Sequence, residues 1–224
     1  MTLAAVVFDC DGTLVDSEPL AWRSWERLLS GHGYTLTRGD IELTRGRGYP
    51  EIYGYFAERV PGLPDGAAVW AGFSGELFEL LESELTPFED AIGTARELHA
   101  RGVPIAIASS SPRARLDATL AAAGLTELFD ITVAGDEVGR GKPAPDLFLA
   151  AARRLDVPPE RCVAVEDSPP GVASALAAGM TVVAVARAPE HRADLRPYLV
   201  EHLSAAAVVE AALARQTASR EREP

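Results

Sequence analysis

The sequence is poor in lysine. Its 21 basic residues comprise arginines and a single lysine, Lys142, and its 33 acidic residues leave a net charge of −12. A surface that binds nucleic acid or an anionic membrane needs clusters of basic side chains, so this balance argues against both kinds of partner. A small anionic substrate stays compatible with the composition, because a binding site can be positive locally.

Cysteine is also scarce, and long apolar runs are missing. The two cysteines, Cys10 and Cys162, are too few for a disulfide framework. No stretch approaches the roughly 18–20 apolar residues of a membrane span. The first residues lack the basic segment of a secretory signal. These absences predict a cytoplasmic protein without a membrane-spanning segment.

Short apolar runs alternate with helical patterns along most of the 224 residues. The runs are rich in Val and Ile and lack polar alternation, which is typical of parallel strands buried on both faces. The predicted strands are residues 4–9, 104–110, 131–135, 162–167 and 181–186. The predicted helices between them are residues 90–102, 112–124, 144–157 and 169–179. This alternation predicts an α/β fold with a doubly wound parallel sheet.

One region breaks the alternation. Residues 17–86 contain helical patterns and no convincing strand, which indicates an all-helical domain inserted after the first strand. The predicted organisation is a core of residues 1–16 and 87–213, the helical insert of residues 17–86, and a disordered, charged tail of residues 214–224.

Polar side chains follow four of the predicted strands. Parallel α/β sheets bind ligands beyond the carboxyl ends of their strands, so these side chains should meet at one edge. Taken singly, each is explained as a helix cap or a loop residue; together they predict a site. In chain order they are Asp9, Asp11, Ser109, Ser110, Ser111, Lys142, Glu166 and Asp167.

The residue types at this edge point to phosphoryl transfer. Four carboxylates so close together cannot all stay ionised without a cation, and Mg²⁺ suits carboxylates, waters and substrate phosphate. Lys142, the serine hydroxyls and the helix N-terminus after them would bind an oxyanion. Asp9 can serve as nucleophile, with Asp11 as acid–base. A histidine base is not expected, because none of the four adjoins these segments: His32, His99, His191 and His202.

At these residues the chain resembles the haloacid dehalogenase superfamily. The motifs occur in order as DCDGTL (Asp9–Leu14), IASSSP, GKPAPD and VEDSPPG. Within the superfamily the chain is similar to the β-phosphoglucomutase-like and phosphatase branch, whose Rossmann-like core carries a helical cap. The resemblance spans about residues 4–188.

The resemblance implies roles for individual residues. It makes Asp9 the nucleophile and Asp11 the acid–base, with Ser109 and Lys142 holding the transferring group. The implied Mg²⁺ ligands are Asp9, Asp11 through its carbonyl, Asp167, and Glu166 directly or through water. The expected phosphate- and substrate-binding residues are Gly12, Ser110, Ser111, Arg45 and Arg47.

The motifs also separate the chain from several relatives. Dehalogenases of the superfamily lack the second aspartate, and phosphonatases use a cap lysine, whereas residues 17–86 contain none. β-Phosphoglucomutases carry a cap histidine where this chain has Ala21, and a cap arginine near the position of Tyr49, from which Arg45 and Arg47 are displaced. Trp22 and Trp25, three residues apart on the first helix of the insert, are expected to pack inside the insert rather than to form a platform for the substrate.

These features predict an Mg²⁺-dependent phosphatase acting on a small phosphorylated metabolite, a sugar or polyol phosphate, through an aspartyl phosphate. The alternatives are a sugar-phosphate mutase and, from another class, a non-catalytic protein that binds phosphorylated metabolites. The oligomeric state stays open, and a monomer is compatible with the sequence.

Overall fold

A parallel sheet flanked by helices forms the larger part of the molecule. The structure is a computed structural model that describes residues 3–44, 47–129 and 131–220, the side chains of 190 and 215–220 excepted. In chain order the strands are β1 (Ala5–Phe8), β2 (Val15–Asp16), β3 (Thr86–Pro87), β4 (Ile105–Ala108), β5 (Ile131–Val133), β6 (Cys162–Glu166) and β7 (Thr181–Ala184). The helices are α1 (Glu18–Gly31), α2 (Arg38–Thr44), α3 (Tyr49–Ala57), α4 (Gly66–Glu84), α5 (Glu89–Ala100), α6 (Arg113–Ala122), α7 (Asp146–Arg154), α8 (Pro169–Ala177), α9 (Arg192–Leu195) and α10 (Ala205–Arg220).

Strand β1 lies at the centre of the five-stranded sheet, whose order is β5-β4-β1-β6-β7 with parallel neighbours. Its residues are fully buried. Val6 and Phe8 pack into the hydrophobic cluster on one face, and Ala5 and Val7 pack into the cluster on the other. Burial on both faces explains the uninterrupted apolar runs of the sequence. The predicted α/β fold with a doubly wound parallel sheet is confirmed.

Helices α1–α4 form the insert, and two short strands join it to the sheet. β2 and β3 pair antiparallel, with Val15 opposite Pro87 and Asp16 opposite Thr86. The insert has a hydrophobic cluster of its own, in which Trp25 packs on Phe56 and Phe73 at ring-centroid distances of 5.2 and 4.9 Å. The paired linkers therefore hold the two ends of the insert side by side at the edge of the core.

The chain terminus differs from the expectation of a disordered tail from residue 214. Helix α10 continues to Arg220, and residues 221–224 lie outside the described residues. Ala205, Val208 and Ala212, spaced three and four residues apart, are buried in the cluster that covers one face of the sheet. This packing anchors α10. Among the helices of the described segments, none combines the length and apolar character needed to cross a membrane.

Candidate active site

A cavity lies between the carboxyl edge of the sheet and the helical insert. The predicted core residues meet there: Asp9, Asp11, Ser110, Ser111, Lys142, Glu166 and Asp167 line the cavity. Ser109 is fully buried beneath it, and Gly12 borders an adjoining cavity. Arg47 lines the cavity from the insert, whereas Arg45 lies outside the described residues. The residues that follow the carboxyl ends of the predicted strands therefore lie together at this cavity, and their roles stay a prediction.

Lys142 lies between two carboxylates. Its Nζ donates to Asp9 Oδ1 at 2.5 Å and to Glu166 Oε1 at 2.7 Å. Burial alone would lower the pKa of Lys142, but Asp9 and Glu166 outweigh it and raise that pKa above its ordinary value. The ammonium therefore stays charged and fixes the position of Asp9.

Asp9 follows β1 directly and is 6% exposed. Burial raises its pKa to about 7, Lys142 opposes that rise, and the charge of Glu166 adds to it. Although buried, Asp9 Oδ2 has no hydrogen-bond partner within the described part of the chain. A buried carboxylate oxygen without a partner costs free energy unless a ligand or cation meets it.

Both carboxylate oxygens of Glu166 accept hydrogen bonds. Beyond its contact with Lys142, its Oε2 accepts hydrogen bonds from Asp167 N and Ser168 N at 2.8 Å each, and from Ser168 Oγ at 2.9 Å. A Cβ placed on Gly171 would lie 1.6 Å from Glu166 Oε1, so only glycine fits there. Glu166 thus positions Lys142, and its predicted part in metal binding, directly or through water, stays a prediction.

Asp11 is surrounded by donors. Ser17 Oγ and Arg115 contact Asp11 Oδ1, with Arg115 Nη2 at 3.0 Å, while the hydroxyls of Ser111 and Ser109 lie 2.8 and 3.3 Å from Oδ2. Burial would raise the pKa of Asp11, but Arg115 and the hydroxyl hydrogen bonds outweigh it and lower that pKa. The carboxylate is held in its ionised form.

Asp167 lies beside the tight turn after β1. Thr13 Oγ1 donates to Asp167 Oδ1 at 3.2 Å. Gly12 has φ +89°, and a Cβ there would lie 2.4 Å from Asp167 Oδ2, so glycine is required for both reasons. Burial raises the pKa of Asp167, and the neighbouring charges of Glu166 and Asp9 raise it further.

The carboxylate oxygens of Asp9 and Asp167 fit a hard divalent cation as ligands. Asp9 offers an unpartnered oxygen, and the pKa of both Asp9 and Asp167 is raised by burial and by neighbouring carboxylates, which a cation would neutralise. No group of three or more described His, Cys, Asp or Glu side chains is arranged to hold a metal ion. A cation here would therefore also use backbone carbonyl, water and substrate oxygens, as Mg²⁺ commonly does.

Two residues of the site were missed in the sequence. Arg115 carried no recognisable spacing, because only the fold brings the first turn of α6 to Asp11. His191 lies in a single 3-10 turn after β7, where its Nδ1 is 3.3 Å from the Asp167 carbonyl oxygen. Ligands bind beyond the carboxyl ends of parallel strands, and the loop that carries His191 follows the fifth strand of the sheet, β7. Applying this principle to β7 would have included that loop in the predicted site.

Comparison with known proteins identifies the family. The sequence model of haloacid dehalogenase-like hydrolases matches residues 3–179. The chain belongs to the haloacid dehalogenase-like hydrolase family. The predicted resemblance is confirmed, and residues of all four motifs line the cavity described above.

Several relatives that this chain matches over most of their length are named phosphatases. The chain is 35% identical over 189 residues to Hexitol phosphatase A of Escherichia coli (strain K12), covering 83% of this chain and 84% of that protein. The hydrolase also has the fold of β-phosphoglucomutase from Clostridium difficile, with a TM-score of 0.82, 19% identity, and coverage of 96% and 99%. The predicted resemblance to the phosphatase branch of the family is confirmed.

Two Arabidopsis thaliana relatives are longer than this hydrolase. It is 39% identical over 193 residues to Bifunctional riboflavin kinase/FMN phosphatase, which covers 84% of this chain and 49% of that protein. It is 37% identical over 187 residues to Protein SUPPRESSOR OF QUENCHING 1, chloroplastic, which covers 82% of this chain and 18% of that protein. The hydrolase thus spans less than half the length of either protein.

Proposed function

We propose that this hydrolase is a metal-dependent phosphatase that acts on a small phosphorylated metabolite, a sugar or polyol phosphate, through an aspartyl-phosphate intermediate. The observation that carries the proposal is the unpartnered Oδ2 of Asp9, which is buried at the cavity beside Lys142. The substrate class, sugar or polyol phosphate, is supported by the relatives named Hexitol phosphatase A and Fructose-1-phosphate phosphatase YqaB, both of Escherichia coli (strain K12).

The carboxylates of Asp9 and Asp167 and the backbone carbonyl of Asp11 would hold the metal, Mg²⁺. When bound, it neutralises these carboxylates and withdraws charge from the phosphoryl oxygens. Glu166 acts through Lys142, because its own oxygens accept four hydrogen bonds.

In the first step Asp9 Oδ2 attacks phosphorus. The new bond joins Oδ2 to phosphorus, the ester oxygen leaves with its electron pair, and Asp11 gives that oxygen a proton. Approach of the phosphate dianion favours proton uptake by Asp11, because a like charge raises the pKa of a carboxyl group. Lys142, Ser109, Ser110 and the amide groups at this edge stabilise the transferring group.

In the second step water attacks the aspartyl phosphate. Asp11 takes the proton of the water, the bond between phosphorus and Asp9 breaks, and inorganic phosphate leaves. The donors around Asp11 suit this step, since Arg115 and the serine hydroxyls favour its ionised form. One carboxylate therefore serves as acid and then as base.

The test is phosphate release from a panel of sugar and polyol phosphates, with acetyl phosphate as a small reference, in Mg²⁺ and then in excess EDTA. Wild-type protein should release phosphate only with Mg²⁺. Asp9→Asn should lose at least about a thousandfold in kcat, as expected for a covalent nucleophile. Asp117→Asn, on the exposed face of α6 and outside the four motifs, serves as the matched control.

Three results would contradict the proposal. Retained turnover by Asp9→Asn would overturn the role of Asp9. Interconversion of β-glucose 1-phosphate and glucose 6-phosphate with a bisphosphate activator, without net phosphate release, would identify a mutase. Metal-dependent binding of phosphate esters without turnover across the whole panel would identify a binding protein.

A further inference from the structure

The wall of the cavity opposite the carboxylates is apolar and mostly aromatic. It is formed by side chains of α1, α3 and α4 in the insert, and we call it the aromatic wall. Its members are Trp22, Trp25, Tyr49, Ile52, Trp70 and Phe73.

The aromatic wall is held rigidly by its own packing. Trp25 and Phe73 are each 2% exposed and lie 4.9 Å apart between ring centroids, so they form its base. Tyr49 stacks on Trp25 at 5.9 Å and meets Trp70 edge to face at 4.7 Å. Trp22, Tyr49 and Trp70 are half-buried, so part of their surface faces the cavity. The insert thus presents flat ring surfaces that cannot readily rearrange around a ligand.

The hydroxyl donors on this side of the cavity are already used. Tyr49 Oη donates to the Gly66 carbonyl oxygen at 2.6 Å, and Thr44 Oγ1 donates to the Asp40 carbonyl oxygen at 2.6 Å. Ala21 adds no polar group. Of the described insert residues that line the cavity, the charged ones are Glu18 and Arg47.

The apolar ring surfaces and the occupied hydroxyls on this side of the cavity suit a cyclic sugar as leaving group better than an open-chain polyol. An open-chain polyol carries hydroxyls along its whole length, and those facing the ring faces and Ile52 would lose hydrogen bonds to water, for which the wall offers only the indole N–H groups of its tryptophans. A ring-closed sugar has flat C–H faces that can lie on aromatic rings, while its hydroxyls point outward along the rim, toward groups such as Glu18 and Arg47. Resting on the phosphatase function proposed above, we propose that the aromatic wall selects ring-closed sugar phosphates over open-chain polyol phosphates.

A matched pair of esters tests the selection. Glucose 6-phosphate and sorbitol 6-phosphate have the same number of carbons and the same phosphorylated position, and they differ in ring closure. For the wild-type protein with Mg²⁺, kcat/KM should favour glucose 6-phosphate by at least about tenfold. Acetyl phosphate, which lacks a ring and is too short to reach the insert, reports the core chemistry alone.

Variants assign the selection to the aromatic wall. Trp70→Leu should reduce the ratio of the two kcat/KM values to within about threefold of one, mainly by raising KM for glucose 6-phosphate. Phe78→Leu, also an aromatic residue of α4 but outside the cavity lining, should leave the ratio unchanged. Trp22→Leu gives a second test if Trp70→Leu fails to fold by circular dichroism.

The outcomes separate the two proposals. Hydrolysis of acetyl phosphate with equal or better use of sorbitol 6-phosphate, or with neither C6 ester used, overturns the ring selection while phosphatase chemistry stands. A ratio that Trp70→Leu and Trp22→Leu leave unchanged overturns the role of the wall. No phosphate release from any of the three esters overturns the proposed function itself.

Discussion

Asp11 has a donor on each side of its carboxylate, and one of these donors is a buried guanidinium. The side chains of Arg115 and Asp11 are 17% and 19% exposed, so their ion pair is screened less than one on the surface. Arg115 lines the cavity, and the proposed mechanism assigns it to Asp11 rather than to the transferring phosphoryl group. Its contribution is to orient Asp11 and to favour the ionised form.

Arg115→Met should lower kcat for acetyl phosphate by about ten- to a hundredfold, the range typical of residues that orient a reactive group. The three hydroxyl contacts of Asp11 remain, so the loss should be smaller than for Asp9→Asn. Arg115→Lys should recover part of kcat, because it restores the charge without the planar fork. Steady-state kinetics give the values.

The matched control is Arg113→Met, two residues earlier on α6, where the guanidinium pairs with Asp117 and Glu137 at the surface. It should leave kcat unchanged. Equal turnover by Arg115→Met and wild type would show that the serine hydroxyls alone position Asp11.

For the single lysine, the sequence predicted the place in the fold but not the contacts of the side chain. Its place after the third strand of the pattern predicted a contact with the phosphate site, and Lys142 does line the cavity. Its double contact with Asp9 and Glu166 was not predictable, because it depends on side-chain directions at the ends of two different strands. The same holds for Arg115, whose partner lies 104 residues earlier.

At the scale of elements, the start of α8 is built around Glu166. Ser168 caps this helix by accepting from Gly171 N at 3.2 Å, and its hydroxyl also donates to Glu166. Gly171 lets the first turn of α8 approach the carboxylate closely. The helix terminus therefore fixes Glu166, which in turn fixes Lys142.

Gly171→Ala should displace the Glu166 carboxylate and lower kcat by at least about tenfold, because the added Cβ and the carboxylate oxygen cannot both keep their positions. Gly93→Ala is the control: this helical position in α5 has open space around it, and alanine should stabilise the fold by about 0.5–1 kcal/mol. Kinetics and thermal unfolding of both variants distinguish the effects. Unchanged turnover in Gly171→Ala would contradict this coupling.

A buried carboxylate organises the insert around α2. Asp40 is 5% exposed, and its oxygens accept from Tyr34 and Tyr55 hydroxyls at 3.0 and 2.7 Å and from Thr37 N and Oγ1 at 2.8 and 2.6 Å. Burial would raise the pKa of Asp40, but these hydrogen bonds outweigh it and lower that pKa.

The lowered pKa makes the stability of the insert dependent on pH. The ionised Asp40 contributes stability at pH values above its ordinary pKa of 3.8, and this contribution is lost as the pH falls below that value toward the folded-state pKa. Asp40→Asn should destabilise the protein at pH 7 by about 1–3 kcal/mol, because buried donors lose a charged acceptor. Thermal unfolding between pH 3 and pH 8 should show the difference from wild type shrinking at the acidic end. A constant difference would contradict the assignment; Asp117→Asn, at the surface, is the control.

Strands and helices were predictable where the hydrophobic pattern of the sequence matches the burial of the residues in the fold. The five core strands and the four helices between them were predicted because apolar runs buried on both faces and Pro or Gly punctuation both mark them. Helix α2 lies within the region of predicted helices but has no distinct pattern of its own, since its seven residues depend on the contacts of Asp40 with Tyr34 and Tyr55. Helix α10 was missed because its alternation with a preceding strand is broken by the loop and α9 after β7.

At the scale of the molecule, the cavity exists only where insert and core face each other. The core supplies the charged side and the insert the aromatic side, and a sequence pattern shows each side separately but not their juxtaposition. The domain organisation of a core and an inserted cap stays a proposal. It is supported by separate hydrophobic clusters and by the pairing of the linkers β2 and β3.

This organisation predicts that the core folds without its insert. Replacing residues 18–85 with one glycine leaves Ser17-Gly between Asp16 and Thr86, which face each other in the antiparallel pair, and two-residue loops suit such hairpins. Leu14 and Val15 belong to the core cluster, whereas Leu116 lies on α6, the core helix against which α4 packs. The variant therefore exposes part of α6, but the rest of the core cluster should still unfold cooperatively in denaturant. The variant should still hydrolyse acetyl phosphate, with kcat lowered by roughly tenfold or more because water is no longer excluded from the site. Its kcat/KM values for glucose 6-phosphate and sorbitol 6-phosphate should become equal, because the aromatic wall is absent. A variant without a cooperative transition would show that insert and core are one folding unit, and a preserved preference for glucose 6-phosphate would place the selection in the core.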